Sequence, residues 1–274
     1  MAFVRPVTVL HLVCLVAGIL LSGIAAASAG ILITPQRVVF AEGDRSSEVV
    51  INNVSDKTLV YRLSWFHLRM GENGRYVKYD PETEQFPHAD ALVRFSPRQV
   101  TLAPGQSQTV RLVLRRKSDL AQGEYRSHLL FQAIPRIDPN QTTDEEGIQM
   151  RLQLLLGFSI PVIVRVGQLN VVAGMTGTRI EAGPDGDLML KVDVSREGAA
   201  SPYGRLRALW RAVGEDPRQI GIVNNVAVFP EISTRRVEFP LSDRPTGPGQ
   251  LLVRYEGLDE YDGQVFAEQA FRVE

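Results

Sequence analysis

Residues 100–112 read VTLAPGQSQTVRL, and their pattern is that of a β-hairpin. Apolar residues at every second position predict a strand on each side of a Pro-Gly turn. In the second strand Val110, Leu112 and Leu114 would point inward and Arg111 outward. Because only one face of each strand is apolar, the hairpin must pack against a second layer of structure.

The same two-residue spacing continues along the rest of the chain after its first 30 residues. Clusters of Gly, Pro, Asn and Asp separate these segments, as turns separate the strands of a sandwich. The clearest later example is formed by Leu188, Leu190, Val192 and Val194. The sequence therefore predicts an all-β protein with two β-sandwich domains, residues 30–166 and 167–274.

Residues 1–29 are predicted to be a secretory signal peptide. A basic n-region precedes an apolar run over residues 7–24, and a small-residue cleavage site, Ala-Ser-Ala, follows at residues 27–29. A transmembrane anchor is the alternative, because the run is nearly long enough to span a bilayer. Gly18 and Gly23 interrupt the run, and no basic stop-transfer cluster follows it. These features favour export and cleavage of the signal peptide after Ala29.

Composition narrows the function classes further. With 44% hydrophobic and 22% charged residues, the 274-residue chain has the composition of a folded protein. Its 30 basic and 31 acidic residues give a net charge of −1, which predicts no nucleic-acid partner. The single cysteine, Cys14, lies in the signal peptide, so the exported protein would contain no disulfide.

The sequence shows no pattern typical of an active site, and the protein is predicted not to be an enzyme. His67, His88 and His128 lack further ligands at metal-binding spacing, so no metal or cofactor is expected. No glycine-rich phosphate loop and no Gly-x-Ser-x-Gly elbow is present, and no small-molecule substrate is indicated. A hydrolase on a sandwich scaffold remains the weakest alternative, because no nucleophile can be paired with a base.

The unusual segment is residues 150–165, MRLQLLLGFSIPVIVR. In a strand, Leu152, Leu154 and Leu156 would project from one face, with polar residues on the other. A core strand of the first domain is one interpretation. The other is a strand offered to a different protein, since the run is longer than one domain needs and follows a polar loop.

Four segments together resemble the periplasmic chaperones of the chaperone-usher pathway, which assembles pili and fimbriae. The resemblance covers the first domain well and the second thinly. Its fold is two immunoglobulin-like β-sandwich domains arranged as a boomerang. The four segments are ITPQRVVF at residues 33–40, the hairpin at residues 100–112, GEYRS at residues 123–127 with the following AIP, and the strand at residues 152–165.

The resemblance implies a way of binding pilus subunits. Leu152, Leu154 and Leu156 match the donor positions of a strand that fills the groove of an incomplete subunit. Arg37 matches a cleft arginine that grips the terminal carboxylate of the subunit. Where the family has a cleft lysine, this chain has Pro161, a departure that indicates a divergent branch.

The resemblance also implies a set of ion pairs between the two domains. Glu124, Arg165 and Glu260 match the charged residues that fix the angle between the domains. The alternative is three surface charges, each contributing about 0 to 1 kcal/mol.

The function implied is that of a periplasmic chaperone, independent of ATP, that completes the fold of pilus or fimbrial subunits. It would deliver them to an outer-membrane usher. The alternative function is an exported adhesive or structural protein with two β-sandwich modules. The sequence leaves open which subunits are bound and whether the free protein forms a dimer that covers its own donor strand.

Overall fold

The computed structural model describes residues 30–84, 86–116, 119–135, 156–183 and 186–273. These residues form strands joined by turns, with one short 3-10 helix, so the predicted all-β class with two β-sandwich domains is confirmed. The predicted signal peptide, Leu152 and Leu154 lie outside the described residues. Within the described ranges, no helix combines the length and apolar character that a membrane crossing requires.

The first domain contains eleven of the strands found in the described ranges. One sheet has the order β1-β3-β9-β7, the opposing sheet has the order β2-β11-β10-β4-β8, and β5 and β6 form a separate hairpin. The strands are β1 (Ile31–Thr34), β2 (Val38–Phe40), β3 (Ser46–Asn53), β4 (Leu59–Phe66), β5 (Leu68–Met70), β6 (Tyr76–Lys78), β7 (Val93–Ser96), β8 (Gln99–Leu102), β9 (Ser107–Leu114), β10 (Gly123–Ala133) and β11 (Gly157–Val166).

The apolar segment at residues 31–40 forms two strands that belong to different sheets. β1 pairs with β3 in an antiparallel arrangement as far as Thr34, and β2 then pairs in parallel with β11. Pro35 lies at the crossing, and a proline has no N–H with which to continue the first ladder. The crossing places Arg37 directly before β2, at the edge of the second sheet.

The alternating residues of the first domain meet in one core between its two sheets. The predicted hairpin at residues 100–112 is wrong, because β8 pairs with β4 in one sheet and β9 pairs with β3 and β7 in the other, so the Pro-Gly turn connects the two sheets. The alternation within β9 is confirmed: Val110 and Leu112 are completely buried, while Arg111 is exposed. Burial of each such aliphatic side chain contributes about 1.5 to 3 kcal/mol. Other fully buried residues of this core are Phe40, Val49, Ile51, Leu102, Leu129, Phe131, Val162 and Val164.

The second domain is also a sandwich of two sheets. Their strand orders are β12-β13-β16 and β15-β14-β17-β18. Leu190, Val192 and Val194 are fully buried between them, in agreement with the predicted alternation. The elements are β12 (Ala173–Ala182), β13 (Leu188–Arg196), β14 (Tyr203–Ala212), β15 (Arg218–Ala227), β16 (Thr234–Pro240), β17 (Gly249–Gly257), the 3-10 helix η1 (Asp259–Tyr261) and β18 (Val265–Val273).

A third, smaller apolar cluster joins the two domains. Met70 and Ile163 contribute to it from the first domain, and Ala227 and Phe229 contribute from the second. All four side chains are at most 4% exposed. The domains are therefore packed against each other rather than connected only by the linker near Gly167.

Candidate functional site

One edge of β11 is open over half of its length. On one side β11 pairs with β10 from Gly157 to Val166. On its other side β2 pairs only with Val162, Ile163 and Val164. No strand in the described part of the chain covers that side of residues 157–161. An open edge of this kind presents backbone donors and acceptors to which another strand can add.

The open edge ends at Arg37. Val38 is paired with Val162, so Arg37 lies beside Pro161, the last residue of the open edge. Pro161 is in turn paired with His128 of β10. The position at which the resemblance implies a lysine is therefore flanked by Arg37 on one side and His128 on the other.

The apolar face of β11 continues toward the open end of the strand. Ile160, Val162 and Val164 are buried in the core of the first domain, and Phe158 packs against that core. Leu156 has the same two-residue spacing, but its side chain is 53% exposed. Its carbonyl still accepts a hydrogen bond from the Ala133 N–H at 3.1 Å, so the strand arrangement extends to this residue.

Arg37 holds a carboxylate of its own chain. Its Nη1 and Nη2 donate hydrogen bonds to the two carboxylate oxygens of Glu260, at 2.6 and 2.9 Å. The Tyr203 ring lies 4.3 Å from the guanidinium carbon, an additional cation–π contact. The Arg37 side chain is only 5% exposed, whereas that of Glu260 is 28% exposed. A two-pronged pair of this kind is among the stronger ionic contacts of proteins.

Glu260 is shared with a second arginine. Arg165 Nη1 lies 3.0 Å from Oε1 of Glu260. Burial alone would raise the pKa of the Glu260 carboxyl. The hydrogen bonds and positive charge of Arg37, together with the charge of Arg165, lower it by more. The result is a pKa of the Glu260 carboxyl below its ordinary value. The carboxylate therefore stays ionised between two guanidinium groups.

Arg165 also connects to the interior of the interface between the domains. Its Nε donates to Glu124 at 3.2 Å. The Glu124 side chain is completely buried and accepts two further hydrogen bonds from Ser201, from the hydroxyl at 2.6 Å and from the backbone N–H at 3.1 Å. The structure thus brings Glu124, Arg165 and Glu260 together, and it adds Arg37 and Ser201 to the same network.

A second buried ion pair crosses the interface beside this network. Arg126 of β10 pairs with Glu231 of the second domain, and both side chains are at most 8% exposed. Glu231 also accepts a hydrogen bond from the Met70 N–H at 2.8 Å. The Phe229 ring lies 3.9 Å from the Arg126 guanidinium carbon. Sequence analysis did not single out either charged residue, because nothing in the local pattern marks a pair separated by 105 positions.

His128 lies beside Pro161 on the β10 side of β11, opposite Arg37. It is 2% exposed, and neither ring nitrogen has a hydrogen-bond partner among the described residues. The ring of Tyr76 covers it at a centroid distance of 5.2 Å. Burial, with the charge of Arg126 and the proximity of His67, lowers the pKa of His128 to about 3. The imidazole is therefore neutral at physiological pH.

The described residues include no cluster of three or more His, Cys, Asp or Glu side chains that could hold a metal ion.

The family model of pili and flagellar-assembly chaperones, PapD N-terminal domain, matches residues 30–169, which is just over half of the 274 residues. The chain belongs to this family. No curated protein sequence gives a significant match.

Several solved structures are similar to the chaperone, each at low identity. The E. coli chaperone DraB is 16% identical, with 89% of this chain and 95% of DraB covered and a TM-score of 0.42. The Salmonella enterica SafA pilin in complex with the SafB chaperone gives 14% identity, coverage of 89% and 96%, and a TM-score of 0.43. The CsuC–CsuE chaperone–tip adhesion subunit complex of Acinetobacter baumannii gives 12% identity, with 89% of this chain and 98% of that chain covered and a TM-score of 0.43. The family assignment rests on the family model alone.

The predicted site residues of the chaperone fall into two groups, one between the domains and one at the open end of β11. Arg37, Glu124, Arg165 and Glu260 form one connected network between the domains. Leu156 lies at the open end of β11, and the other two predicted donor leucines precede it outside the described residues. The contact between Arg37 and Glu260 was not predicted, since the resemblance assigned these residues to separate roles.

Proposed function

We propose that the protein is a periplasmic chaperone that captures incomplete pilus or fimbrial subunits and delivers them to an outer-membrane usher. Membership of the pilus-assembly chaperone family supports the class of function. The observation that carries the mechanism is the open edge of β11, which ends at Arg37. An edge that ends at a guanidinium group is suited to a strand that ends in a carboxylate.

The geometry selects one direction for the added strand. β11 runs from Gly157 toward Val166, and Arg37 lies beside Pro161, at the far end of the open edge. Only a guest strand running parallel to β11 would bring its C-terminal carboxylate to that end. An antiparallel guest would present its amino terminus to Arg37, and two positive charges would then repel each other.

The leucines of the donor strand would supply most of the binding energy. Leu156 continues the buried face of β11 into solvent, and Leu154 and Leu152 follow at the same spacing in the sequence. Burial of each in the groove of a subunit would contribute about 1.5 to 3 kcal/mol. The backbone ladder along the edge would add hydrogen bonds that do not depend on the sequence of the guest.

The remaining parts of the proposal concern location and domain arrangement. Cleavage after Ala29 would release the chaperone into the periplasm, with domains at residues 30–166 and 167–274. Glu124, Arg165 and Glu260 would fix the orientation of the two domains. With Pro161 in place of a lysine, Arg37 would be the only one of the two expected cations to bind the subunit carboxylate.

The test is recovery of a subunit from the periplasm together with a tagged chaperone. Leu156→Asp is expected to abolish recovery while the chaperone stays folded, because an unpaired carboxylate in an apolar groove costs several kcal/mol. Leu32→Asp is the matched control, since this leucine is 50% exposed on β1 in the other sheet. Equal recovery with both variants would contradict the proposed use of β11. The absence of any co-purifying subunit with the unmodified chaperone would instead favour an exported structural protein.

A further inference from the structure

The fork of Arg37 is already filled before any partner arrives. Both of its terminal nitrogens are bonded to Glu260, and the Tyr203 ring lies against the guanidinium group. Nε of Arg37 is buried and has no partner in the described part of the chain. Glu260 therefore occupies the Nη1–Nη2 pair, and a carboxylate from another molecule could bind that pair only by displacing it.

Glu260 has the most exposed side chain among the four charged residues of the network. Its side chain is 28% exposed, compared with 5% for Arg37 and 13% for Arg165. It lies in η1, a single turn whose backbone hydrogen bonds, within the described ranges, join residues 258–264 to one another, while the Tyr261 hydroxyl donates to the Ser201 carbonyl at 3.2 Å. Arg165 Nη1 also lies 3.0 Å from Oε1 of Glu260, the oxygen to which Arg37 Nη2 donates. A carboxylate released by Arg37 would keep one guanidinium partner and gain contact with solvent.

We propose that Glu260 is an internal ligand of Arg37 that the terminal carboxylate of a bound subunit replaces, while Glu260 remains on Arg165. The inference rests on the proposed function, and it identifies the residue that competes with the subunit. The exchange conserves charge, because one carboxylate leaves the fork of Arg37 as another enters it. Two carboxylates cannot share the fork, since like charges at such distances repel strongly.

The exchange has a consequence for affinity. A site that is occupied by its own chain binds a ligand more weakly, in proportion to the small fraction of molecules in which it is free. The carboxylate of the guest would then set the alignment of the strand on β11 without adding much to the strength of binding. Removal of the internal ligand should uncover the full strength of the anchor.

The experiment uses the full exported chain and one short peptide of alternating threonine and valine in two forms. One form ends in a free carboxylate and the other in an amide. Glu260→Gln is expected to tighten binding of the carboxylate form by about tenfold, as for a site that is free in about a tenth of the molecules. Binding of the amide form should be unchanged, and Arg37→Ala should abolish the difference between the two forms.

Three results would overturn the inference. If Glu260→Gln weakens both peptides equally, Glu260 only holds the domains in place and does not compete for Arg37. If the amide form fails to bind the unmodified protein, strand addition itself fails, and the proposed function fails with it. If Glu260→Gln does not fold, the carboxyl ¹³C signal of Glu260 in the unmodified protein still decides. It should shift with the carboxylate peptide and not with the amide, and an unchanged signal at saturation would exclude displacement.

Discussion

At the scale of single residues, the pairing of Arg37 makes the shape of its side chain as important as its charge. Arg37→Lys keeps the charge but cannot donate to both oxygens of Glu260 in one plane. We expect a loss of about 1 to 3 kcal/mol in the free energy of unfolding, the range for hydrogen bonds to charged groups. Arg254→Lys is the control, because Arg254 forms an exposed pair with Glu268. Its effect should stay within about 0.5 kcal/mol.

Urea unfolding of both variants at neutral pH measures this difference. Equal and small losses would mean that the two-pronged contact contributes nothing to stability.

A second residue-scale prediction concerns His128 and pH. Its pKa is lowered to about 3 in the folded protein, whereas an exposed histidine in the unfolded chain titrates near 6.5. As the pH falls, His128 is therefore protonated at a higher pH in the unfolded chain than in the folded protein. The resulting stability is complete above about pH 6.5 and is lost progressively toward pH 3, at up to about 1.4 kcal/mol per pH unit. His128→Leu should have a smaller decrease in stability between pH 7 and pH 5.

The groups that face His128 are Arg126 on its own strand, His67, and the Tyr76 ring. The ring signals of His128 in an NMR titration provide the independent check. A midpoint near pH 6.5 would contradict the prediction.

At the scale of elements, the β5–β6 hairpin links the two domains through its turn. The Glu72 carbonyl accepts a hydrogen bond from the Arg236 N–H at 2.6 Å. Gly74 has a φ of +74°, and a Cβ at this position would lie 2.6 Å from Nε of Arg235. The left-handed φ and the close Arg235 side chain both favour glycine at this turn.

Gly74→Ala should therefore be more destabilising than a change of backbone preference alone. Gly105→Ala is the matched control, because its φ of +71° is nearly the same and nothing lies within 4 Å of the added Cβ. We expect a loss of about 1 to 2 kcal/mol for the control from the left-handed conformation. Gly74→Ala should lose about 1 to 3 kcal/mol more, because Arg235 must move. Equal unfolding free energies for the two variants would show that the turn does not dock tightly on β16.

The elements also show how far the sequence was informative. Alternation predicted the two strands within residues 100–112 and the strand at Leu190, since burial on one face is a local pattern. The predicted pairing of the first two strands as a hairpin was wrong, because they lie in different sheets. It did not predict that residues 31–40 would divide between two sheets. Choice of sheet depends on pairing with distant strands, here β3 and β11, and no local pattern encodes that pairing.

At the scale of the whole molecule, Arg126 and Glu231 join the domains through a buried pair. Glu231→Ala would leave the Arg126 charge buried with only the Leu68 carbonyl as a hydrogen-bond partner among the described residues. Such a change typically costs about 3 to 5 kcal/mol. Glu268→Ala is the control, since its pair with Arg254 is exposed and should contribute about 1 kcal/mol or less.

Calorimetry is the appropriate measurement, because it also reports whether the domains unfold together. We expect one transition for the unmodified protein and the control, and two for Glu231→Ala. A single transition at an unchanged temperature in Glu231→Ala would mean that this pair does not couple the domains.

The candidate site was predictable only in part, because its contacts join residues that are far apart in the sequence. The resemblance supplied Glu124, Arg165 and Glu260, and the structure places them in contact. The pair between Arg37 and Glu260 joins residues 223 positions apart, and it depends on how the second domain packs. The sequence did not mark His128, because its burial without a hydrogen-bond partner among the described residues depends on how distant strands pack around it.

The short open edge of β11 also bears on how many different clients one chaperone can serve. Backbone groups and a terminal carboxylate are common to every polypeptide, so in the proposed binding mode an edge that recognises these two features would accept strands of many sequences. Discrimination between subunits must then come from two features of the subunit. One is the length of its last strand, and the other is the shape of the pockets in its groove that receive the donor leucines. One kind of chaperone would then be enough for an appendage built from several kinds of subunit, provided that their final strands are equally long.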